Sequence, residues 1–545
     1  MTDPSHDIVE TGARLGLPAA ALRPYGRDKA KIEVATLGPL APDGALILVS
    51  GITPTVAGEG KTTTAIGLAD GLAHLGKRAC VVLREPSLGP IFGQKGGGTG
   101  FGWSRVVPSA DINLHFTGDF HAISSAHNLL SALIDNHLHH GKTPTLDPER
   151  VTWKRTMDMN DRALRQLELG RGKGNGPVHL GGFDITAASE IMAILALADD
   201  ADDLRARLGR IVVGRGVDGA AITAAEIGAV GGMMALLRDA MLPNLAATVC
   251  GTPAVIHCGP FANIAHGTAS VVAMRTAMHL ADLAVVEAGF GFDLGGEKFF
   301  DLVARGGELS PAVVVIIASL RALRLHGGVT PDQVGEPALA AVTAGLPNLL
   351  RHLENARHFG RPVVIALNAF PGDSDAEVEA VRAAVASDDV GFAVIDAPSR
   401  GAEGGVALAE VVLAALRRHP PGPAKTLYAD SDSLRTKIER VATTIYRARA
   451  VEFTPEAAAQ LAELEAGGHG HLPVCMAKTP ASFTDDPTKV GAPDDHVLTV
   501  RRFELAAGAG FVVALCGAIV RMPGLPKEPR AFSIDLVDGQ IVGVG

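Results

Sequence analysis

Residues 44–51 (GALILVSG) limit the fold of this chain more than any other stretch. They form a short aliphatic run bounded by Pro42 and by the turn Gly51-Ile52-Thr53-Pro54. That is the pattern of a strand buried on both faces, as strands of parallel sheets are. A glycine-rich turn follows. Residues 61–75 then carry apolar side chains at Ile66, Leu68, Ala69, Leu72, Ala73 and Leu75, which fits a packed helix ended by Gly76. Residues 78–83 (RACVVL) read as the next strand. Strand, loop, helix and strand make a βαβ unit with a right-handed crossover.

Similar apolar runs recur at 211–213, 254–257, 283–287, 313–318, 362–368 and 392–396, with helical stretches such as 187–198 and 269–280 between them. The alternation predicts an α/β fold with a mostly parallel sheet of the P-loop type. A chain of 545 residues is too long for one core. Turn-rich segments at 327–331, 345–347 and 420–423 divide it into a large nucleotide-binding domain (1–335) and two smaller α/β domains (336–423 and 424–545).

The net charge of −10 argues against a nucleic-acid surface. The N-terminus lacks a basic region followed by an apolar core, and the longest apolar runs (312–320 and 511–520) fall short of the roughly 20 residues of a membrane span. Cysteines 80, 250, 258, 475 and 516 match no zinc or CxxC spacing, which fits reduced thiols. The expectation is a soluble, cytoplasmic protein without membrane or nucleic-acid partners.

The loop Thr55-Val56-Ala57-Gly58-Glu59-Gly60-Lys61-Thr62-Thr63 carries the clearest chemistry. Gly58 and Gly60 let backbone N–H groups approach phosphate, and the following helix adds its positive N-terminal end. Lys61 would reach the terminal phosphates of ATP, and the Thr62 hydroxyl would face Mg2+. Thr55 stands where the usual motif has its first glycine. The alternative is a glycine turn capping a helix, with Lys61 in solvent. Arg84-Glu85 follows the second strand, so Arg84 is expected to face the same crevice and hold a carboxylate or acyl phosphate; otherwise it pairs with Glu85 or another carboxylate. Lys95, in the glycine run 93–102, is either a second phosphate-binding cation or a surface lysine. Asp119 after Gly118 could hold magnesium or a water, or cap a helix. The histidines at 115, 121 and 127 would not share one helix face, which disfavours a metal site, and 137, 139 and 140 are expected at an exposed helix end. Phe290 and Phe292, in a glycine-flanked loop, are either core or a stacking platform. The candidate catalytic residues are Lys61, Arg84, Glu85 and Asp119.

Together these motifs resemble formate–tetrahydrofolate ligases. The matching text includes TPTVAGEGKTTT (53–64), LREPSLGPIFGQKGG (83–97), DINLHFTGDFHAI (111–123), GGFDITAASEIMAI (181–194), GPFANIAHG (259–267), EAGFGFDLGGEKF (287–299) and PVCMAKTPASFTDDP (473–487). The resemblance implies ATP-dependent ligation of formate to tetrahydrofolate through formyl phosphate, giving 10-formyltetrahydrofolate, ADP and phosphate. It also implies that Arg84 holds formyl phosphate, that Phe290 and Phe370 contact the pterin, and that residues 336–423 contribute folate contacts. A homotetramer supported by K+ or NH4+ is the family's usual form. The sequence departs from the pattern at Pro398, where the family carries a pterin-stacking Trp, at Pro480 in place of Gln, and at Phe292 and Gly296 in place of alanines. Two other readings stay open: a carboxylate-activating P-loop ligase for another amine acceptor, and a P-loop ATPase switch. The second would need an additional lysine at the loop's start, and residues 52–57 contain none.

Overall fold

In the computed structural model, which describes residues 3–94, 97–418, 422 and 424–544, the aliphatic runs become the centre of one twelve-stranded sheet. In chain order its strands are β1 (Leu22–Pro24), β2 (Ala30–Ile32), β3 (Ala45–Gly51), β4 (Ala79–Leu83), β5 (Gly100–Phe101), β6 (Ser104–Val107), β7 (Asn244–Thr248), β8 (Pro253–Ile256), β9 (Leu283–Gly291), β10 (Val313–Ser319), β11 (Val363–Asn368) and β12 (Val390–Ile395). They lie in the order β1-β2-β7-β8-β4-β9-β3-β10-β11-β12, with β6 paired to β7 and to β5. Every pairing from β8 to β12 is parallel, and the β1-β2-β7-β8 edge is antiparallel.

Successive side chains of a strand point to opposite faces, and both faces here are buried. Leu46, Leu48, Val82, Val286, Val314 and Ile316 pack on one side in the cluster that includes residues of helices Val271–Leu280 and Leu339–Arg357. Ile47, Val49, Val81, Val285, Val315 and Ile317 pack on the other with α1 (Lys61–His74) and the helix Ala402–Arg418. These last two helices cross closely: a Cβ on Gly405 would lie 2.0 Å from the Gly67 carbonyl oxygen, so only glycine fits the crossing.

β11 and β12 extend the common sheet, so residues 336–423 have no sheet of their own. The turn expected at 345–347 lies inside the continuous helix Leu339–Arg357, with Pro347 in its interior. Proline normally breaks a helix, but here Val342, Leu346, Leu349, Leu353 and Ala356 bury one stripe that packing holds in place. Of the expected linker 420–423, residues 420, 421 and 423 lie outside the described residues. Beyond it, a separate four-stranded sheet comprises β13 (Ala448–Phe453), β14 (Val474–Ala477), β15 (His496–Ala506) and β16 (Phe511–Cys516), in the order β13-β15-β16-β14. Among the described residues, no helix is long and apolar enough to cross a membrane.

Candidate functional site

Ligands of open α/β sheets bind outside the carboxyl ends of the parallel strands, because the loops there diverge and helix N-termini point in. β3 delivers the glycine loop to that edge, β4 delivers Arg84 and Glu85, β9 delivers Glu287 and Phe290, and β11 delivers Asn368 and Phe370.

The glycine loop is braced from within and from β11. Glu59 folds back on it: its Oε1 accepts from the Thr55 backbone N–H at 2.6 Å, and its Oε2 lies 3.2 Å from Lys61 Nζ. Thr55, at the position of the missing glycine, therefore serves as a donor that closes the loop. Gly60 adopts a left-handed φ of 74° and stands directly before α1. Asn368 ties the loop down, its Nδ2 donating to the Glu59 carbonyl at 2.6 Å and its Oδ1 accepting from Thr64 Oγ1 at 2.9 Å. Lys61, Thr62 and Thr63 form the first turn of α1, whose leading N–H groups lack intrahelical acceptors.

Glu287 joins this loop to Arg84. Its Oε2 accepts from Thr62 Oγ1 at 2.7 Å, and its Oε1 lies 3.6 Å from Arg84 Nη2. Arg84 Nη1 also donates to the Pro260 carbonyl at 3.3 Å. Its guanidinium lies against Gly289, where a Cβ would come within 3.0 Å of Nη1. Arg84 thus pairs with Glu287, not with Glu85. Thr62 and Glu287 supply only oxygen donors, the chemistry Mg2+ prefers when substrate phosphates complete its shell.

Glu85 and Asp119 lie buried below. Asp119 neither caps its helix (Asp119–His139) nor stands open to a metal: Lys31 Nζ donates to its Oδ1 at 2.7 Å and Asn244 Nδ2 to its Oδ2 at 2.8 Å. Burial and the neighbouring Asp119 carboxylate push Glu85 well above the ordinary carboxyl range, against the pull of Lys31.

Of the aromatic candidates, Phe290 is half-buried with a positive φ of 59°. Phe370 is half-buried with the Arg321 guanidinium 4.3 Å from its ring centroid. Phe292 is core: it is fully buried among Phe300 and Phe359. A Cβ on Gly296 would lie 2.3 Å from that ring, so the two exchanged alanines are one packing exchange, large for small on one turn and small for large on the next. Pro398 is the second residue of a short helix (Ala397–Arg400), and its carbonyl accepts from the Trp103 backbone N–H at 3.0 Å.

His127 is buried, stacks on Trp153 at 4.2 Å and is pushed down to about 4 by burial, so it is a neutral structural group. His137 is likewise buried and bonded to the Pro144 carbonyl at 2.6 Å, not exposed at a helix end as its position suggested. Among the described residues, no group of three or more His, Cys, Asp or Glu side chains is placed to hold a metal. Lys95 lies outside the described residues.

The family model for formate–tetrahydrofolate ligase matches residues 2–545. The chain belongs to the formate–tetrahydrofolate ligase family. It is 53% identical to formate–tetrahydrofolate ligases from Maricaulis maris and Hyphomonas neptunium and 52% identical to that from Paracoccus denitrificans, each match covering 98% of this chain and 97% of the relative. The residues matched by the family model include the glycine loop and the segments bearing Phe290, Phe370 and Pro398.

Proposed function

We propose a course for ATP-dependent ligation of formate to tetrahydrofolate, the activity of the family to which this chain belongs: it runs through formyl phosphate in the crevice between the glycine loop and Arg84. The observation that carries this reading is Glu287, whose one carboxylate faces Thr62 of the phosphate loop and Arg84 opposite. ATP lies with its phosphates on the amides of Gly58, Gly60, Thr62 and Thr63, and Lys61 reaches the γ-phosphoryl group by exchanging Glu59 for phosphate. Thr62 and Glu287 would hold Mg2+, which neutralises charge on the transferring group when bound.

A formate oxygen attacks the γ-phosphorus in line and ADP departs. Arg84 then clamps formyl phosphate bidentately. The tetrahydrofolate amine attacks the formyl carbon, phosphate leaves with the C–O electron pair, and the departing phosphate takes up the proton that the amine loses. Glu85 follows Arg84 directly and, with the Asp119–Lys31 pair, forms a buried charged cluster beside it. Phe290 and Phe370 contact the pterin. A monovalent cation such as K+ or NH4+, a homotetramer and a cytoplasmic setting complete the proposal.

The test is formation of 10-formyltetrahydrofolate from formate, ATP and tetrahydrofolate, each omitted in turn. Arg84→Ala should lose formyl transfer yet retain ATP affinity, whereas robust turnover by that variant would remove Arg84 from the mechanism.

A further inference from the structure

The loop 259–268 passes beside Arg84 and holds polar groups that no other described residue satisfies. His266 is fully buried, and neither ring nitrogen has a hydrogen-bond partner among the described residues. The same holds for Asn263 Oδ1, Thr268 Oγ1 and Arg84 Nε. Buried polar atoms without partners are rare and costly, so several on one loop that passes beside a guanidinium mark a place built for a polar guest.

The loop is held firmly. The Pro260 carbonyl accepts from Arg84 Nη1 at 3.3 Å, the Ala262 carbonyl accepts from Lys298 Nζ at 2.6 Å, and the Gly267 carbonyl accepts from the Gly289 N–H at 2.9 Å. Burial lowers His266 to about 3, and the cations Arg84, Lys298 and Arg207 push the same way. The ring is therefore neutral at working pH and keeps one N–H donor and one acceptor whichever tautomer it takes. The space is narrow, because a Cβ on Gly289 would come within 2.8 Å of Ala262 Cβ and 3.1 Å of both terminal Arg84 nitrogens.

We infer that His266 contacts the substrate carboxylate: its N–H, with Arg84, seats the one-carbon acid before it is phosphorylated. This rests on the assignment of Arg84 to the formate side of the crevice. Arg84 supplies the charge, while His266 donates without adding charge. It therefore fixes which oxygen faces the γ-phosphorus and does not trap the anion too tightly.

The experiment compares KM for formate, ATP and tetrahydrofolate in the full chain with His266→Leu and His266→Gln, and measures turnover of Arg84→Ala beside them. His266→Leu fills the same space without unpartnered nitrogens, so it should fold at least as stably as the native chain. Its formate KM should nevertheless rise about tenfold or more (about 1.4 kcal/mol), with KM for ATP within twofold. His266→Gln, which keeps an N–H, should recover part of the loss. A formate KM within twofold of native in His266→Leu overturns the inference, as does a parallel rise in all three KM values. If Arg84→Ala keeps native turnover, the crevice assignment itself falls, whatever His266 does.

Discussion

Replacing Gly60 by alanine would add one methyl group at the point where the nucleotide loop turns into α1. The backbone there has a φ of 74°, and the new Cβ would lie 2.7 Å from Asn368 Nδ2. A left-handed backbone costs a non-glycine residue about 1–2 kcal/mol. Moving Asn368 aside also gives up its bonds to the Glu59 carbonyl and to Thr64 Oγ1, at about 0.5–1.5 kcal/mol each. Together that is roughly 2–5 kcal/mol of loop geometry, or about 30- to 3,000-fold weaker ATP binding at 1.4 kcal/mol per decade. Gly58→Ala is the control, because Gly58 has a φ of 70° but nothing within 4 Å of its Cβ. It should bear only the backbone cost, roughly 5- to 30-fold. Titration calorimetry with Mg-ATP measures both. If Gly60→Ala binds ATP no more weakly than Gly58→Ala, the Asn368 tether is not what shapes the loop.

Phe292→Ala should destabilise the chain by about 3–5 kcal/mol and Gly296→Ala by about 1–3 kcal/mol. The double variant should cost at least ~0.5 kcal/mol less than their sum in denaturant melts, and strict additivity would refute the packing exchange. Lys31→Met leaves the buried Asp119 carboxylate without its cation and should cost about 3–5 kcal/mol at pH 7, read as a fall in melting midpoint; an unchanged midpoint would show the pair is not needed. Burial alone would raise Glu377, but the Arg324 guanidinium and the Ala338 and Ser374 N–H groups outweigh it and hold it down at about 2. The stability from that depressed carboxylate is fully present above pH 4.5 and is lost as pH falls from there through about 2. Glu377→Gln should therefore weaken the fold at pH 7 and flatten its stability profile across that window, while parallel profiles for native and variant would contradict the assignment.

The βαβ start and the parallel core were legible because aliphatic runs bounded by turns have a period that survives without tertiary information. The places of Lys61 and Arg84 in the fold were legible because the first opens a readable helix and the second directly follows a readable strand, while Phe370 came in only through the family resemblance. Lys31 was not: a lysine between Ala30 and Ile32 looks like a surface residue, and its partner Asp119 is 88 residues away. Glu287 carried a faint local signal, an acid late in an apolar strand, but its link to Thr62 spans 225 residues. Phe292 misled in the opposite direction. Flanking glycines suggested exposure, whereas Gly296 is there to make room for the ring. The turn expected at 345–347 is absorbed into a helix because the apolar stripe around its glycine and proline outweighs them.

The Asn368 tether also bears on how the protein is made. Glu59 and Asn368 are separated by 309 residues. At about 5–20 residues per second, roughly 15–60 s pass between synthesis of the glycine loop and emergence of the side chain that shapes it. Both sheet neighbours of β3 also arrive late, β9 at Leu283 and β10 at Val313. A nascent chain on the ribosome thus carries the whole phosphate-binding segment for most of its synthesis without the means to organise it. The last side chain that braces the loop arrives only when two-thirds of the polypeptide exists.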